Sequence, residues 1–359
     1  MSASVPSHLS IVVLAGGIGS RFWPASRPER PKQLLPLASH RPLIQETVDR
    51  ALSLVPRSRL RILAGRHLVL PFRQVLSEPD EELFWVEPRA RGTGPVLAWA
   101  AHRLHAQDPD AVMISLHSDH AIEPRGAFLQ LLPRAAELAA REDLLLTVAV
   151  PPNRPETGYG YLRPGPALET GDPSFRAWKL GAFIEKPDEA AARRYLSQGY
   201  LWNSGIFIWS TARFLEEVRL HAPEIARHFP LLDQGDVDGF FAQAPHVSVD
   251  EAILERSGRV GTVEATFEWD DVGSWDALVR TGSPDDSGNV VEGKGQVVDG
   301  EGNVVWAEDG PVVLFGVHDL VVARSGGITL VTRRDRAGEL KDLLGRLPES
   351  LRDPEKGGG

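Results

Sequence analysis

Leu14-Ala15-Gly16-Gly17-Ile18-Gly19-Ser20-Arg21, followed by Arg27, Arg30 and Lys32, sets a glycine-rich turn beside a run of cations. Glycine lets backbone N–H groups approach phosphate oxygens that a side chain would shield. From Arg21 to Lys32 the only acid is Glu29, in a chain whose formal net charge is −10. That local reversal of sign is what an anionic substrate asks of an acidic protein. Lysine is scarce beside arginine in this chain, so Lys32 in Pro31-Lys32-Gln33 marks a place for a compact point charge. Two other phosphate motifs are excluded. Phe22 stands where a dinucleotide fingerprint needs its third glycine, and no Gly-Lys-Ser/Thr of a Walker A loop occurs.

Two carboxylates are suited to a metal. Asp119 lies in Ser118-Asp119-His120, just after the strand-like run Ala111–Ser115, and Asp271 lies in Trp269-Asp270-Asp271-Val272-Gly273-Ser274-Trp275. Mg²⁺ is satisfied by one or two carboxylates with phosphate oxygens and water, so these two would suffice if they met over a triphosphate. Asp270 competes with Asp271 for that role, and Asp250 is a further acid to which the sequence gives no role. Cysteine is absent, which excludes disulfides, thiolate zinc sites and a cysteine nucleophile.

The elements that must position these residues follow from the hydrophobic pattern. Short aliphatic runs at Ile11–Leu14, Leu60–Ala64, Leu83–Val86, Ala111–Ser115 and Leu145–Val150 alternate with helical stretches. This predicts an α/β fold, a Rossmann-like, mostly parallel sheet with flanking helices. One helix is expected over Pro95–His105, started by Gly92-Thr93-Gly94-Pro95. Ligands gather beyond the carboxyl ends of such strands, which points to the loops after Leu14 and Ser115. From Pro151 the pattern loosens, and the segments around Thr157–Tyr161, Phe183–Pro187 and Leu201–Trp209 are expected to be inserted strands and loops covering the sheet. Within the last, Phe207 and Trp209 are expected in the core.

A small β-rich unit is expected from residue 283 to 359, after a large domain over 1–282. Its short strands are predicted at Gln296–Val298, Val304–Trp306, Val312–Val317, Leu320–Ala323 and Ile328–Thr332. A final helix would carry Ala337, Leu340, Leu343, Leu344 and Leu347 on one face, before a frayed Lys356-Gly357-Gly358-Gly359 tail. The alternation in this unit predicts packing against the large domain or against a second copy in a homodimer. A sequence pI near 5.6 argues against a nucleic-acid-coating role. No window reaches the apolar length of a membrane span and the start lacks a signal peptide's basic region, which suits a cytoplasmic protein.

The string AGGIGSRFWPASRPERPKQ resembles the signature of the nucleoside-diphosphate-sugar pyrophosphorylases. The resemblance continues through Glu87-Pro88, Arg91–Pro95, Ser118-Asp119-His120, Thr157–Tyr161, Phe183–Pro187, Trp202–Phe207, Ser248-Val249-Asp250 and Trp269–Trp275. Its Arg-Phe-Trp-Pro form resembles the branch that joins GTP to mannose 1-phosphate, giving GDP-mannose and pyrophosphate. The resemblance implies a nucleotide site of Leu14, Ala15, Gly16, Gly17, Gly19, Ser20, Arg21, Lys32, Thr93 and Asp119. It implies Mg²⁺ on Asp119 and Asp271, with Arg21 and Lys32 on the triphosphate. Gly158, Tyr159, Glu185, Lys186 and Asn203 would hold the sugar phosphate. On a regular strand Glu185 and Lys186 would point to opposite faces.

No protein nucleophile is then required. A phosphate monoester has a second pKa of about 6, so the attacking oxygen is already mostly deprotonated at neutral pH. Another hexose 1-phosphate, another nucleotide, or a non-catalytic subunit that senses a nucleotide sugar are the alternatives. Three departures bear on them. Gly92 and Gly94 replace the family's usual asparagine and alanine, His117 replaces the proline before Ser-Asp-His, and the residues from Ser283 are too few for the isomerase domain of many bacterial relatives. They instead resemble the small left-handed β-helix of single-function members.

Overall fold

The computed structural model describes residues 8–17, 19–76 and 81–352. Ile18 of the glycine loop and the Lys356–Gly359 tail lie outside the described residues. The aliphatic runs become β1 (Leu9–Leu14), β2 (Leu60–Gly65), β3 (Phe84–Glu87) and β4 (Val112–His117), followed by the short β5 (Ala121–Glu123) and by β6 (Leu145–Val150). Further along come β7 (Tyr161–Ala167), β8 (Ala177–Ile184), β9 (Leu201–Ser210), β10 (Val260–Glu264) and β11 (Glu268–Asp270). Nine of these form one sheet in the order β3-β2-β1-β4-β9-β6-β10-β8-β7, and β11 pairs with β5 apart from it. Seven of the nine run in one direction; β8 and β9 are reversed. The fold is the expected α/β class with a mostly parallel sheet.

Both faces are buried, which is why β1 reads as an unbroken aliphatic run. Ile11 and Val13 point into a core with helices α1 (Leu43–Leu52), α2 (Arg66–Val75) and α4 (Arg125–Glu142). Val12 and Leu14 face the other core, under α3 (Thr93–Gln107) and the helices between residues 211 and 254. Of the segments expected as strands and loops covering the sheet, Leu201–Trp209 is wholly a strand of the sheet itself, while 157–160 and 185–187 are loops beside β7 and β8. Leu201–Ser210 enters as β9 between β4 and β6, its Ile208 opposite Ile114 on one side and Leu146 on the other. Its apolar run is what a central strand requires, and Phe207 and Trp209 are buried in it as expected.

The C-terminal unit holds β12 (Val290–Val298), β13 (Val304–Phe315), β14 (Leu320–Ser325) and β15 (Ile328–Arg333). Two pieces expected separately, Val304–Trp306 and Val312–Val317, are one continuous strand running through Ala307–Pro311. The strands β12, β13 and β14 pair in parallel, with short turns between them. The terminal helical stretch folds as Arg334–Glu339 and Leu340–Arg346, with Ala337 and Leu340 buried and Leu343, Leu344 and Leu347 partly buried. One apolar cluster joins this unit to the glycine-loop segment. Phe22, Trp23, Leu35 and Leu37 pack with Trp275, Val304, Trp306 and Leu340.

Candidate active site

The glycine loop leaves β1 at the carboxyl end of the sheet. Ala15, one residue past β1, still bonds to the neighbouring strand, its N–H donating to Leu63 O at 2.9 Å, and Leu14 O accepts from Ser118 N at 3.0 Å. That second bond brings the Asp119 loop alongside. Gln33 Nε2 donates to Gly16 O at 3.0 Å and to Gly17 O at 3.2 Å, tying back the carbonyls of the exposed turn. Gly19 is required by contact as well as by its φ of 71°. A Cβ there would fall 2.3 Å from Cβ of Lys32. Ser20 opens the helical turn Ser20–Phe22, and Arg21 is exposed with no partner among the described residues.

The four cations of the loop divide into two pairs. Arg27 donates to Pro24 O and Ser325 O, and Arg30 pairs with Glu308 at 2.5 Å, so both tie the loop to the C-terminal unit. Lys32 is buried, and its Nζ donates to Asp119 Oδ2 at 2.8 Å and to Asp271 O at 2.6 Å. Two of its three N–H groups are thus taken by protein atoms, and the ammonium joins the two loops that carry the expected metal ligands. Asp119 lies below the ordinary carboxylate range: burial opposes its charge, but Lys32 and the two neighbouring histidines outweigh it. Asp271 lies above that range, chiefly through burial. Its carboxylate receives only a neutral donor, Tyr159 Oη at 2.6 Å, because Lys32 contacts its carbonyl.

The backbone of this loop is held under strain. Val272 sits at φ 48°, a region that a β-branched residue rarely enters. Asp270 keeps it there by accepting Val272 N–H at 2.8 Å, and is itself paired with Arg280 at 2.6 Å. Asp270 is therefore occupied with bracing, which leaves Asp271 as the oxygen donor of the pair. A hard divalent cation fits the set that remains: two carboxylates, one of them destabilised as an anion by burial.

Tyr159, expected on the sugar rim, is buried edge-on against Trp202 and Trp269 and donates to Asp271. Gly158 is exposed, its N–H donating to Glu156. Thr93 Oγ1 accepts Val249 N–H at 2.9 Å, which fixes α3 to the segment before Asp250. The replacements at Gly92 and Gly94 have a cause in the same place. Gly94 N–H donates to Val247 O at 3.1 Å, and a Cβ on Gly92, at φ 80°, would lie 2.5 Å from that oxygen.

Glu185 and Lys186 do not point to opposite faces. The strand stops at Ile184, Lys186 turns into φ 42°, and its Nζ meets Glu185 Oε1 at 2.9 Å. Gly160 allows Glu185 in; a Cβ on it would be 2.8 Å from Glu185 Oε2. Asn203 Oδ1 accepts from Thr147 Oγ1 at 2.7 Å, and Nδ2 donates to Asp250 Oδ1 at 3.0 Å. Asp250 thereby joins this cluster. Burial, helped by the charge of Glu185, pushes its carboxyl up to about 7. Only the tertiary fold reveals that link, since Asp250 and Asn203 lie on separate elements.

These loops, gathered at one edge of an α/β sheet, define a site for transferring a nucleotidyl group. The chain matches the family model described as nucleotidyl transferase over residues 10–286, and one described as a MannoseP isomerase/GMP-like beta-helix domain over residues 293–347. It belongs to the nucleotidyl transferase family. Within that family its branch is that of the mannose-1-phosphate guanylyltransferases. A protein of that name from Klebsiella pneumoniae is 33% identical over 357 residues, covering 96% of this chain and 75% of the relative. The alginate biosynthesis protein AlgA of Pseudomonas aeruginosa is 33% identical over 344 residues, 93% of this chain and 71% of the relative. A solved structure from Thermus thermophilus, described as a mannose-1-phosphate geranyltransferase, superposes with a TM-score of 0.85 at 33% identity. That match covers 94% of this chain and 99% of the other.

Proposed function

We propose that this chain transfers GMP from GTP to α-D-mannose 1-phosphate, forming GDP-mannose and pyrophosphate. The observation that carries the reading is Lys32 Nζ, which bonds both the Asp119 carboxylate and the Asp271 backbone beside the glycine loop. The sugar phosphate attacks the α-phosphorus of GTP in line, and the pyrophosphate oxygen leaves with the bond electrons. Positioning and charge neutralisation are the whole catalytic demand, because the attacking oxygen arrives deprotonated.

In this reading the N–H groups of Gly16, Gly17 and Gly19 face the phosphates. Arg21, free of protein partners among the described residues, takes the departing pyrophosphate. Lys32 holds the two acid loops together and turns its remaining N–H to the nucleotide. Glu185 and Asn203 orient sugar hydroxyls, and Lys186 meets the sugar phosphate. Asp119 and Asp271 would hold Mg²⁺, which when bound neutralises phosphate charge as a Lewis acid.

The test is pyrophosphate release by purified protein with Mg²⁺, GTP and mannose 1-phosphate, beside Asp271→Asn. The variant keeps the shape of the side chain and removes a charge that burial disfavours, so it should fold at least as stably as the parent. Its turnover should fall by roughly two orders of magnitude or more. Full turnover in the folded variant would remove Asp271 from the site. Silence of the parent with every nucleotide and sugar pair, alongside GDP-mannose binding, would make the chain a sensing subunit.

A further inference from the structure

Asp119 has two imidazole neighbours that the proposed reaction leaves without a task. His117, Asp119 and His120 each bring one ligand atom to within 4.8 Å of the others, at the carboxyl end of β4. The two rings are stacked with centroids 4.5 Å apart. Their hydrogen bonding makes them unequal. Trp269 Nε1–H donates to His120 Nδ1 at 3.0 Å. A neutral imidazole that accepts at Nδ1 carries its proton on Nε2, so His120 offers a cation no lone pair while that bond stands.

His117 is under no such constraint. Among the described residues neither of its ring nitrogens has a hydrogen-bond partner, and the ring occupies space that Gly205 leaves open. A Cβ on Gly205 would lie 2.7 Å from His117 Nε2. Asp119, two residues away, gives Oδ2 to Lys32 and keeps Oδ1. A partly buried, uncommitted nitrogen donor within reach of an uncommitted carboxylate oxygen is the start of a mixed nitrogen and oxygen ligand set.

We propose that His117 is a nitrogen ligand to the divalent cation held by Asp119, so that it strengthens binding of a borderline cation such as Co²⁺ at a site where Mg²⁺ would be held by oxygen alone. The inference rests on reading Asp119 as a cation ligand. Mg²⁺ keeps its waters and takes oxygen, whereas imidazole raises affinity along the series toward Co²⁺ and Ni²⁺. Loss of His117 should therefore weaken Co²⁺ and barely touch Mg²⁺.

The experiment uses the full chain without substrates. Calorimetry measures Co²⁺ and Mg²⁺ separately, and proton NMR of the Co²⁺ form looks for the strongly shifted, exchangeable N–H of a ligating imidazole. The parent should show that resonance. His117→Ala and His117→Asn, each checked for folding by thermal unfolding, should lose it and bind Co²⁺ about tenfold more weakly. Equal Co²⁺ affinities, or a parent without the resonance, would overturn the proposal. So would a resonance that survives in the His117 variants and disappears in His120→Ala. Asp119→Asn separates the two levels: Co²⁺ binding indifferent to that change would sink the reading of Asp119 itself.

Discussion

Asp250 shows how one side chain can record its surroundings. Its carboxyl titrates near 7 in the folded chain and at about 3.9 when unfolded. Between those values the folded state holds a proton that the unfolded state has released. This contribution to stability is therefore complete below about 3.9 and is lost as pH rises to about 7. In Asp250→Asn the loss should vanish, so unfolding temperatures of variant and parent should diverge progressively between about pH 4 and pH 7, the variant ending higher. Parallel pH profiles would deny the shift. At this scale the glycine-loop cations singled out Lys32 as a local signal, whereas the metal role of Asp119 and Asp271 came only with the family resemblance, since an acid in a loop is by itself an ordinary turn residue. The sequence could not assign Tyr159 to Asp271 or Thr93 to Val249, because those partners lie more than a hundred residues apart.

Among the elements, the start of α3 has little slack. Gly92 combines a φ of 80° with a Cβ position 2.5 Å from Val247 O, whereas Gly171, at φ 70°, has nothing within 4 Å. Gly171→Ala should cost only the backbone term, about 1 kcal/mol. Gly92→Ala adds overlap with a backbone oxygen and should cost about 2 kcal/mol or more, read as the difference between the two in denaturant unfolding. Strand and helix positions in the first half were legible because β1 to β4 and β6 are each a short apolar run between turns. The second half was harder for a physical reason. A strand buried on both faces carries no alternation, so the apolar run of β9 placed Phe207 and Trp209 in the core but held nothing local to name β4 and β6 as its neighbours.

Across the whole molecule, the glycine loop proposed to meet the nucleotide is also the loop that grips the C-terminal unit. Glu308 pairs with Arg30 through Oε1 and accepts from Ser325 Oγ through Oε2, while Arg27 reaches Ser325 O. Glu308→Ala should loosen that grip without touching a phosphate contact. Such a partly exposed pair is worth about 1 kcal/mol at most, so GTP affinity should weaken by no more than about fivefold, with the chain still folded. A titration of GTP binding checks this, and an unchanged affinity would make the tie purely structural. The position of β9 has a different consequence, in the order of synthesis. When residue 150 has been made, β4 and β6 both exist but the strand that lies between them does not. Until residue 210 emerges, β4 and β6 each face the missing strand with an open edge that any other strand could pair with. The chain therefore cannot be divided at its midpoint into a self-sufficient first half, and its assembly depends on a strand that arrives late and is inserted at the centre.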